Sequence, residues 1–111
     1  MKKLAIPVEG GKLSQHFGHS RMFMFFDISN GEVLKSYSKE PPPHTEGAIP
    51  NWLSEEECTD LLVNGIGPKA IKILNDRGIN VVSALEINTP ETLVTNFLNA
   101  KLEYGESHCN H

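Results

Sequence analysis

The sequence lacks the features that mark several large classes of protein. Its two cysteines among 111 residues are too few for a disulfide framework. Lysine and arginine are not clustered and the net charge is −4, which argues against a nucleic-acid or membrane-surface binder. The longest early apolar run, Leu4 to Val8, is too short for a signal-peptide core or a membrane span. We therefore expect a cytoplasmic protein whose thiols stay reduced and available to metals.

Signals for catalysis are also scarce. The chain shows no serine, histidine and aspartate order typical of a triad, and Asp27 and Asp60 lie in or beside predicted strands without a paired acid. We therefore predict that the protein is not an enzyme. The length, the 39% apolar share and the 22% charged share predict a single domain over residues 1–111, with residues 104–111 as a flexible tail.

Turn signals and hydrophobic periodicity predict an α/β fold. Ser29-Asn30-Gly31-Glu32 is a hairpin turn, and Pro68 and Thr89-Pro90 are helix starts. The apolar side chains Leu93, Val94, Phe97 and Leu98 recur at helical spacing and predict a buried helix face. The pattern gives strands over 3–8, 22–28, 33–38, 60–63 and 79–85, and helices over 50–57, over 68–77 and from 90 onward.

This order of elements predicts a mixed five-stranded sheet with helices on both faces. A helix separates the fourth and fifth strands, so the first, fourth and fifth should be parallel, with the second antiparallel to the first. The loops after strands one, three and four then leave the same edge of the sheet. Ligands of open α/β sheets bind at that edge, outside the carboxyl ends of the parallel strands.

Candidate metal ligands concentrate in three segments that we interpret as loops or tail. His16 and His19 flank Phe17-Gly18, His44 follows three prolines, and His108, Cys109 and His111 end the chain. Imidazole and thiolate are the ligands that borderline and soft metals prefer. Loop histidines bonded to backbone, an incidental His44 and an unstructured chain end are the alternatives that the sequence leaves open. We expect Cys58 to be an inert, buried thiol.

A fourth segment, Gly65-Ile66-Gly67-Pro68, is interpreted as a glycine loop that opens a helix. The backbone N–H groups of a helix start favour an anion. Close packing of the helix on the sheet would explain the same glycines. Together with the histidines, the loop suggests a site for a ligand that is both metallic and negatively charged.

These residues also resemble a known family. The segments Leu13 to Ser20, Gly65 to Ile71 and Gly78 to Val82, with Leu74, are similar to the dinitrogenase iron–molybdenum cofactor biosynthesis family, the small carrier domains related to NifX and to the C-terminal part of NifB. The resemblance covers nearly the whole chain. Asn64 and Ser83-Ala84 stand where glycine is common in the family.

The resemblance implies a fold, a cargo and site residues. It implies a ribonuclease-H-like topology without nuclease activity, and binding of an iron–molybdenum or related metal–sulfur cluster, or a precursor, during cofactor assembly. The family motif falls on His16, Phe17, Gly18, His19, Gly65 and Gly67.

From these residues we expect a non-enzymatic carrier of an anionic metal–sulfur cluster. The metal would be bound by His16 or His19, with His44, His108, Cys109 and His111 as further candidates, and Phe17, Gly18, Gly65, Ile66 and Gly67 would contact the rest of the cluster. A donor or acceptor protein is an expected partner, whereas nucleic acid and membrane are not. The alternatives are a metal-free partner-binding or regulatory domain and a zinc-dependent hydrolase, which needs three protein ligands.

Overall fold

The protein folds as a mixed sheet with helices on both faces. The computed structural model describes residues 1–43, 45 and 47–99. Along the chain the elements are β1 (Lys2–Glu9), β2 (Lys12–Leu13), β3 (Met22–Ser29), β4 (Glu32–Lys39), α1 (Ala48–Glu55), β5 (Asp60–Val63), α2 (Pro68–Asp76), β6 (Asn80–Ser83) and α3 (Pro90–Leu98). A single 3₁₀ turn, Phe17–His19, lies between β2 and β3.

The strand order is β4-β3-β1-β5-β6, and the short β2 pairs with β1 outside this path. β3 is antiparallel to β1, and β4 is antiparallel to β3. β5 is parallel to β1, and β6 is parallel to β5. The predicted mixed sheet and strand polarities are therefore confirmed. The predicted number of five strands was wrong by one within the described residues, because the two residues of β2 are too short to show a periodicity.

The hairpin between β3 and β4 turns where the sequence predicts it. Asn30 and Gly31 both have positive φ angles, of 54° and 77°. This is the geometry of a type I′ turn, for which Asn-Gly is the preferred pair. The turn lies at the amino end of β1, because Lys2 pairs with Ile28.

Consecutive residues of β1 supply two separate cores. Ala5 belongs to a cluster with Ile49 and Leu53 of α1 and Leu74 of α2. Leu4 and Ile6 belong to a second cluster with Leu93 and Val94 of α3. Because side chains alternate across a strand, these clusters occupy opposite faces of the sheet. The predicted helices on both faces are therefore confirmed.

Several element boundaries differ from prediction. α1 begins at Ala48, two residues earlier than predicted, and Pro50 lies in its first turn, where proline is tolerated. β6 ends at Ser83, whereas the prediction extended it to Leu85. Phe97 was predicted to be core, but it is only partly buried and packs against the edge of the second cluster.

The thiol of Cys58 is buried, as predicted. The residue is 6% exposed, and its Sγ lies 3.0 Å from the carbonyl oxygen of Asp60. Burial raises the pKa of the Cys58 thiol to about 12. The thiol therefore stays protonated and unreactive at neutral pH. Among the described residues we find no helix that is long and apolar enough to cross a membrane.

Candidate functional site

A cavity of about 710 Å³ lies at the carboxyl edge of the parallel strands. It joins the loop between β2 and β3 with the loop between β5 and α2, as strand polarity predicts. Its lining is Gln15, His16, Phe17, Gly18, His19, Thr45, Gly47, Ile49, Pro50, Gly65, Ile66, Gly67, Lys69, Ala70 and Ile73. We call this cavity the edge pocket.

The edge pocket brings together the predicted site residues that the structure describes. His16 and His19 lie on one 3₁₀ turn, and the N–H of His19 donates to the carbonyl oxygen of His16 at 3.1 Å. Their rings meet edge to face, with centroids 5.9 Å apart. Both residues are exposed, so the two imidazoles stand at the rim of the pocket. We call the four residues from His16 to His19 the histidine turn.

Phe17 anchors the histidine turn in the core. It is 5% exposed and packs edge to face on Phe23, with ring centroids 5.9 Å apart. It also lines the edge pocket. The residue therefore holds the turn in place and forms part of the pocket wall.

Two buried serines fix the ends of the same loop. Ser14 is 1% exposed; its N–H donates to the carbonyl oxygen of Pro7 at 2.8 Å, and its Oγ lies 3.3 Å from the backbone N of His16. Ser20 is fully buried, and its Oγ lies within hydrogen-bond distance of the carbonyl oxygens of Val8 and Met22. The histidine turn is therefore held at both ends as well as by Phe17.

Two helix starts face the edge pocket. α1 begins after Gly47 and α2 begins after Gly67, and neither glycine can supply a side-chain cap. The first-turn N–H groups of a helix have no partner within the helix. In contrast, α3 does not contribute to the pocket, and its first turn is capped by Thr89, which accepts from the N–H of Thr92. Pro50 and Pro68 have no N–H to offer in the first turns of α1 and α2, and the N–H of Ala48 donates to the carbonyl oxygen of Thr45. What the pocket offers to an anion is therefore chiefly the positive ends of two helix dipoles.

The rest of the wall is largely apolar. Apolar side chains come both from α1 and from the segment around α2: Ile49, Pro50, Ile66, Ala70 and Ile73. The ammonium-bearing Lys69 of α2 also lines it. The arrangement combines an apolar wall, positive charge and two imidazoles, which suits a large anion with a soft surface better than a small hydrated ion.

Part of this lining was not predicted from the sequence. Thr45 and Gly47 precede α1 and Ile49 lies in its first turn, and the prediction placed the start of α1 two residues too late. Gly47 before an apolar pair was the signal for the earlier start. Gln15 was passed over because a glutamine in a loop carries no chemical signal of its own, and Ile73 could have been found because it follows Ala70 at helical spacing.

Four predicted metal ligands lie outside the described residues. They are His44, His108, Cys109 and His111. Thr45, next in sequence to His44, lines the edge pocket. Within residues 1–43, 45 and 47–99, no group of three or more histidine, cysteine, aspartate or glutamate side chains is placed to hold one metal ion. The described part of the site therefore contributes two imidazoles.

Comparison with known proteins gives a consistent result. The family model described as dinitrogenase iron-molybdenum cofactor matches residues 1–100. The uncharacterized protein MJ0580 of Methanocaldococcus jannaschii is 28% identical over 111 residues, which cover 96% of this chain and 93% of that protein.

Solved structures agree with the fold. The crystal structure of PH0822 is 32% identical, covers 94% of this chain and 95% of its own, and superposes with a TM-score of 0.86. The apo form of the orange protein from Desulfovibrio gigas is 24% identical, with a TM-score of 0.80 over 96% of this chain and 94% of its own. The latter likeness concerns the fold alone.

Proposed function

The chain belongs to the dinitrogenase iron–molybdenum cofactor family, and on that premise we propose that it binds and carries an anionic metal–sulfur cluster during cofactor assembly. One observation carries the proposal: the edge pocket unites two imidazoles with the starts of two helices, which follow Gly47 and Gly67 and have no side-chain cap. The family supports an association with such a cofactor. The geometry supports a site for an anion that contains metal.

The donor groups of the edge pocket fit a cluster in three ways. His16 and His19 offer imidazole nitrogens, a ligand type that binds iron and similar metals. The N–H of Gly67 and the positive end of the α2 dipole are suited to bridging or terminal sulfides that carry negative charge. Ile66 and Ile73 offer apolar contact to the polarizable sulfur surface. Few direct metal bonds and many weak contacts suit a carrier, which has to release its cargo.

Phe17, Gly18 and Gly65 line the edge pocket, and we propose that they contact the cluster without binding its metal. Gly18 lines the pocket between the two imidazoles. We propose His44 and the terminal His108, Cys109 and His111 as additional metal ligands. A thiolate at Cys109 would be the strongest metal ligand among them.

The proposal also covers the partners of the protein, its lack of catalysis and its compartment. A carrier accepts its cluster from one protein and delivers it to another, so we propose transient complexes with a donor and an acceptor and no turnover of its own. A reducing compartment such as the cytoplasm protects such a cluster, and the free, buried Cys58 agrees with it. The ribonuclease-H-like topology implied by the family resemblance remains our prediction for this fold.

The test is anaerobic reconstitution with quantitation of metal and acid-labile sulfide. The wild type should retain metal and sulfide in fixed proportion and should be coloured, and it should take up the thiometalate anion tetrathiomolybdate as a defined probe. His16→Ala and His19→Ala should each retain less cluster. Their free energies of unfolding should change by no more than about 0.5 kcal/mol, as is usual for exposed positions.

A matched control is Glu32→Ala, an exposed substitution beside the hairpin turn at the opposite edge of the sheet. It should leave both cluster retention and stability unchanged. Wild-type protein that retains neither metal nor sulfide and takes up no tetrathiomolybdate would contradict the proposal. A metal-free partner-binding domain would then be the better description. Stoichiometric zinc with hydrolytic turnover would instead favour the hydrolase.

A further inference from the structure

The backbone of Gly65 makes an unusually close approach to the loop that carries the histidine turn. A Cβ atom placed on Gly65 would lie 2.6 Å from the carbonyl oxygen of Gln15, closer than a side-chain carbon can come without movement of the backbone. On the same side, the N–H of Phe17 donates to the carbonyl oxygen of Gly65 at 3.1 Å. We call this backbone contact between the two loops the loop seam.

The requirement for glycine at this position is steric. The φ angle of Gly65 does not lie in the left-handed region, whereas the φ angles of Gly47 and Gly78 do. The φ angle of Gly65 therefore does not by itself require glycine. Only the absence of a Cβ allows the Gln15 carbonyl to approach so closely.

The loop seam lies in the wall of the edge pocket. Gln15 and the histidine turn come from one loop, and Gly65 and the start of α2 come from the other. Because Ser14 and Ser20 fix both ends of the first loop, a displacement at Gln15 is passed to the histidine turn between them. The separation at the seam therefore sets the position of both imidazoles relative to the helix start.

We infer that Gly65 is a positioning residue, which holds the histidine turn against the start of α2 through its contacts with Gln15 and Phe17. This assignment differs from the direct cluster contact expected from sequence. The predicted effect of Gly65 on cargo binding rests on the proposed function, whereas its role in holding the histidine turn in place does not.

The decisive variant is Gly65→Ala, studied by amide hydrogen exchange and histidine ring signals in NMR spectra of the metal-free protein. The Phe17 N–H should exchange at least about tenfold faster than in the wild type, because its hydrogen bond across the seam is lost. The ring signals of His16 and His19 should shift. Affinity for tetrathiomolybdate should fall by about tenfold or more, which corresponds to about 1.4 kcal/mol.

Two controls separate positioning from general destabilisation. Gly67→Ala adds a methyl group where no atom lies within 4 Å and where φ is −79°, so Phe17 exchange should stay at the wild-type rate. Val82→Ala opens a cavity in the cluster on the face packed by α3. It should lower the melting temperature without moving the histidine signals. A purely structural role for Gly65 would make Gly65→Ala behave like Val82→Ala.

The outcomes distinguish this inference from the proposed function. Unchanged Phe17 exchange and unchanged histidine signals in Gly65→Ala would overturn the inference. If the wild type binds tetrathiomolybdate, faster Phe17 exchange in Gly65→Ala with an affinity equal to that of the wild type would overturn it as well. If the wild type does not bind the probe, the proposed function fails while the exchange and ring signals still decide the role of Gly65. If Gly65→Ala does not fold, the measurement is made on the wild type. A wild-type Phe17 N–H that exchanges as fast as an unprotected loop amide would show that the hydrogen bond across the loop seam does not form, and would overturn the inference.

Discussion

Replacing Phe17 by alanine should separate the structural and the ligand-binding parts of the histidine turn. Phe17 is 5% exposed and packs on Phe23, whereas its neighbour His16 is exposed. Phe17→Ala should therefore lower the free energy of unfolding strongly. His16→Ala, one residue earlier in the same turn, should barely change it.

The magnitude follows from the burial of the ring. A phenylalanine buries about 150–250 Å², which at about 25 cal/mol per Å² gives an upper limit of about 4–6 kcal/mol. Substitutions of this kind in other cores cost about 3–5 kcal/mol. For a domain of this size, roughly 4 °C is lost per kcal/mol, so the melting temperature should fall by roughly 12–20 °C. His16→Ala should remain within about 0.5 kcal/mol of the wild type.

Urea unfolding followed by tryptophan fluorescence suits this measurement. Trp52 is the single tryptophan of the chain, and its ring lies 5.5 Å from that of Phe23, on which Phe17 packs. The fluorescence therefore reports on the affected core directly. A loss below about 1 kcal/mol for Phe17→Ala would mean that the ring is not packed, and the anchoring argument would be refuted.

Three further predictions concern other parts of the chain. Burial raises the pKa of Cys58 from 9.0 to about 12, so the unfolded chain loses this proton first and stability should fall as pH rises from about 9 to about 12. At pH 8 the Cys58 thiol of the native protein should resist alkylation; labelling of Cys58 there would contradict its burial. Thr89→Ala should cost about 1 kcal/mol in urea unfolding, because the cap of Thr92 is lost; no change would mean that the cap contributes nothing. Truncation after Gly105 should leave the melting temperature unchanged and speed the release of tetrathiomolybdate; equal release would exclude Cys109 as a ligand.

The fold could be predicted from sequence wherever local signals were strong. The Asn30-Gly31 turn, the Pro68 start and the Thr89 cap were placed correctly, because each depends on the chemistry of a few neighbouring residues. β2 was missed because it depends on the tertiary pairing of Leu13 with Val8, which leaves no periodicity in the sequence. The exact start of α1 was missed although Gly47 marks it in the sequence.

The site was predictable only in outline. Strand polarity was enough to bring His16, His19 and the glycine loop to one edge, and the structure confirms their proximity. The role of Gly65 was not predictable, because it depends on the distance to Gln15, about fifty residues away in sequence. Burial of Phe17 was equally hidden, since an aromatic residue between two histidines fits a ligand contact as well as a core anchor.

The parallel pairing of β1 with β5 has a consequence for when the edge pocket can form. This pairing joins Leu4 to Asp60, so it needs closure of a long segment that includes β3, β4 and α1. Contacts of such sequence separation tend to form late in folding. The two halves of the edge pocket belong to loops that follow β1 and β5. A chain in which β1 and β5 have not yet paired therefore lacks the arrangement that joins the two halves of the pocket, so the edge pocket exists only once the sheet has formed.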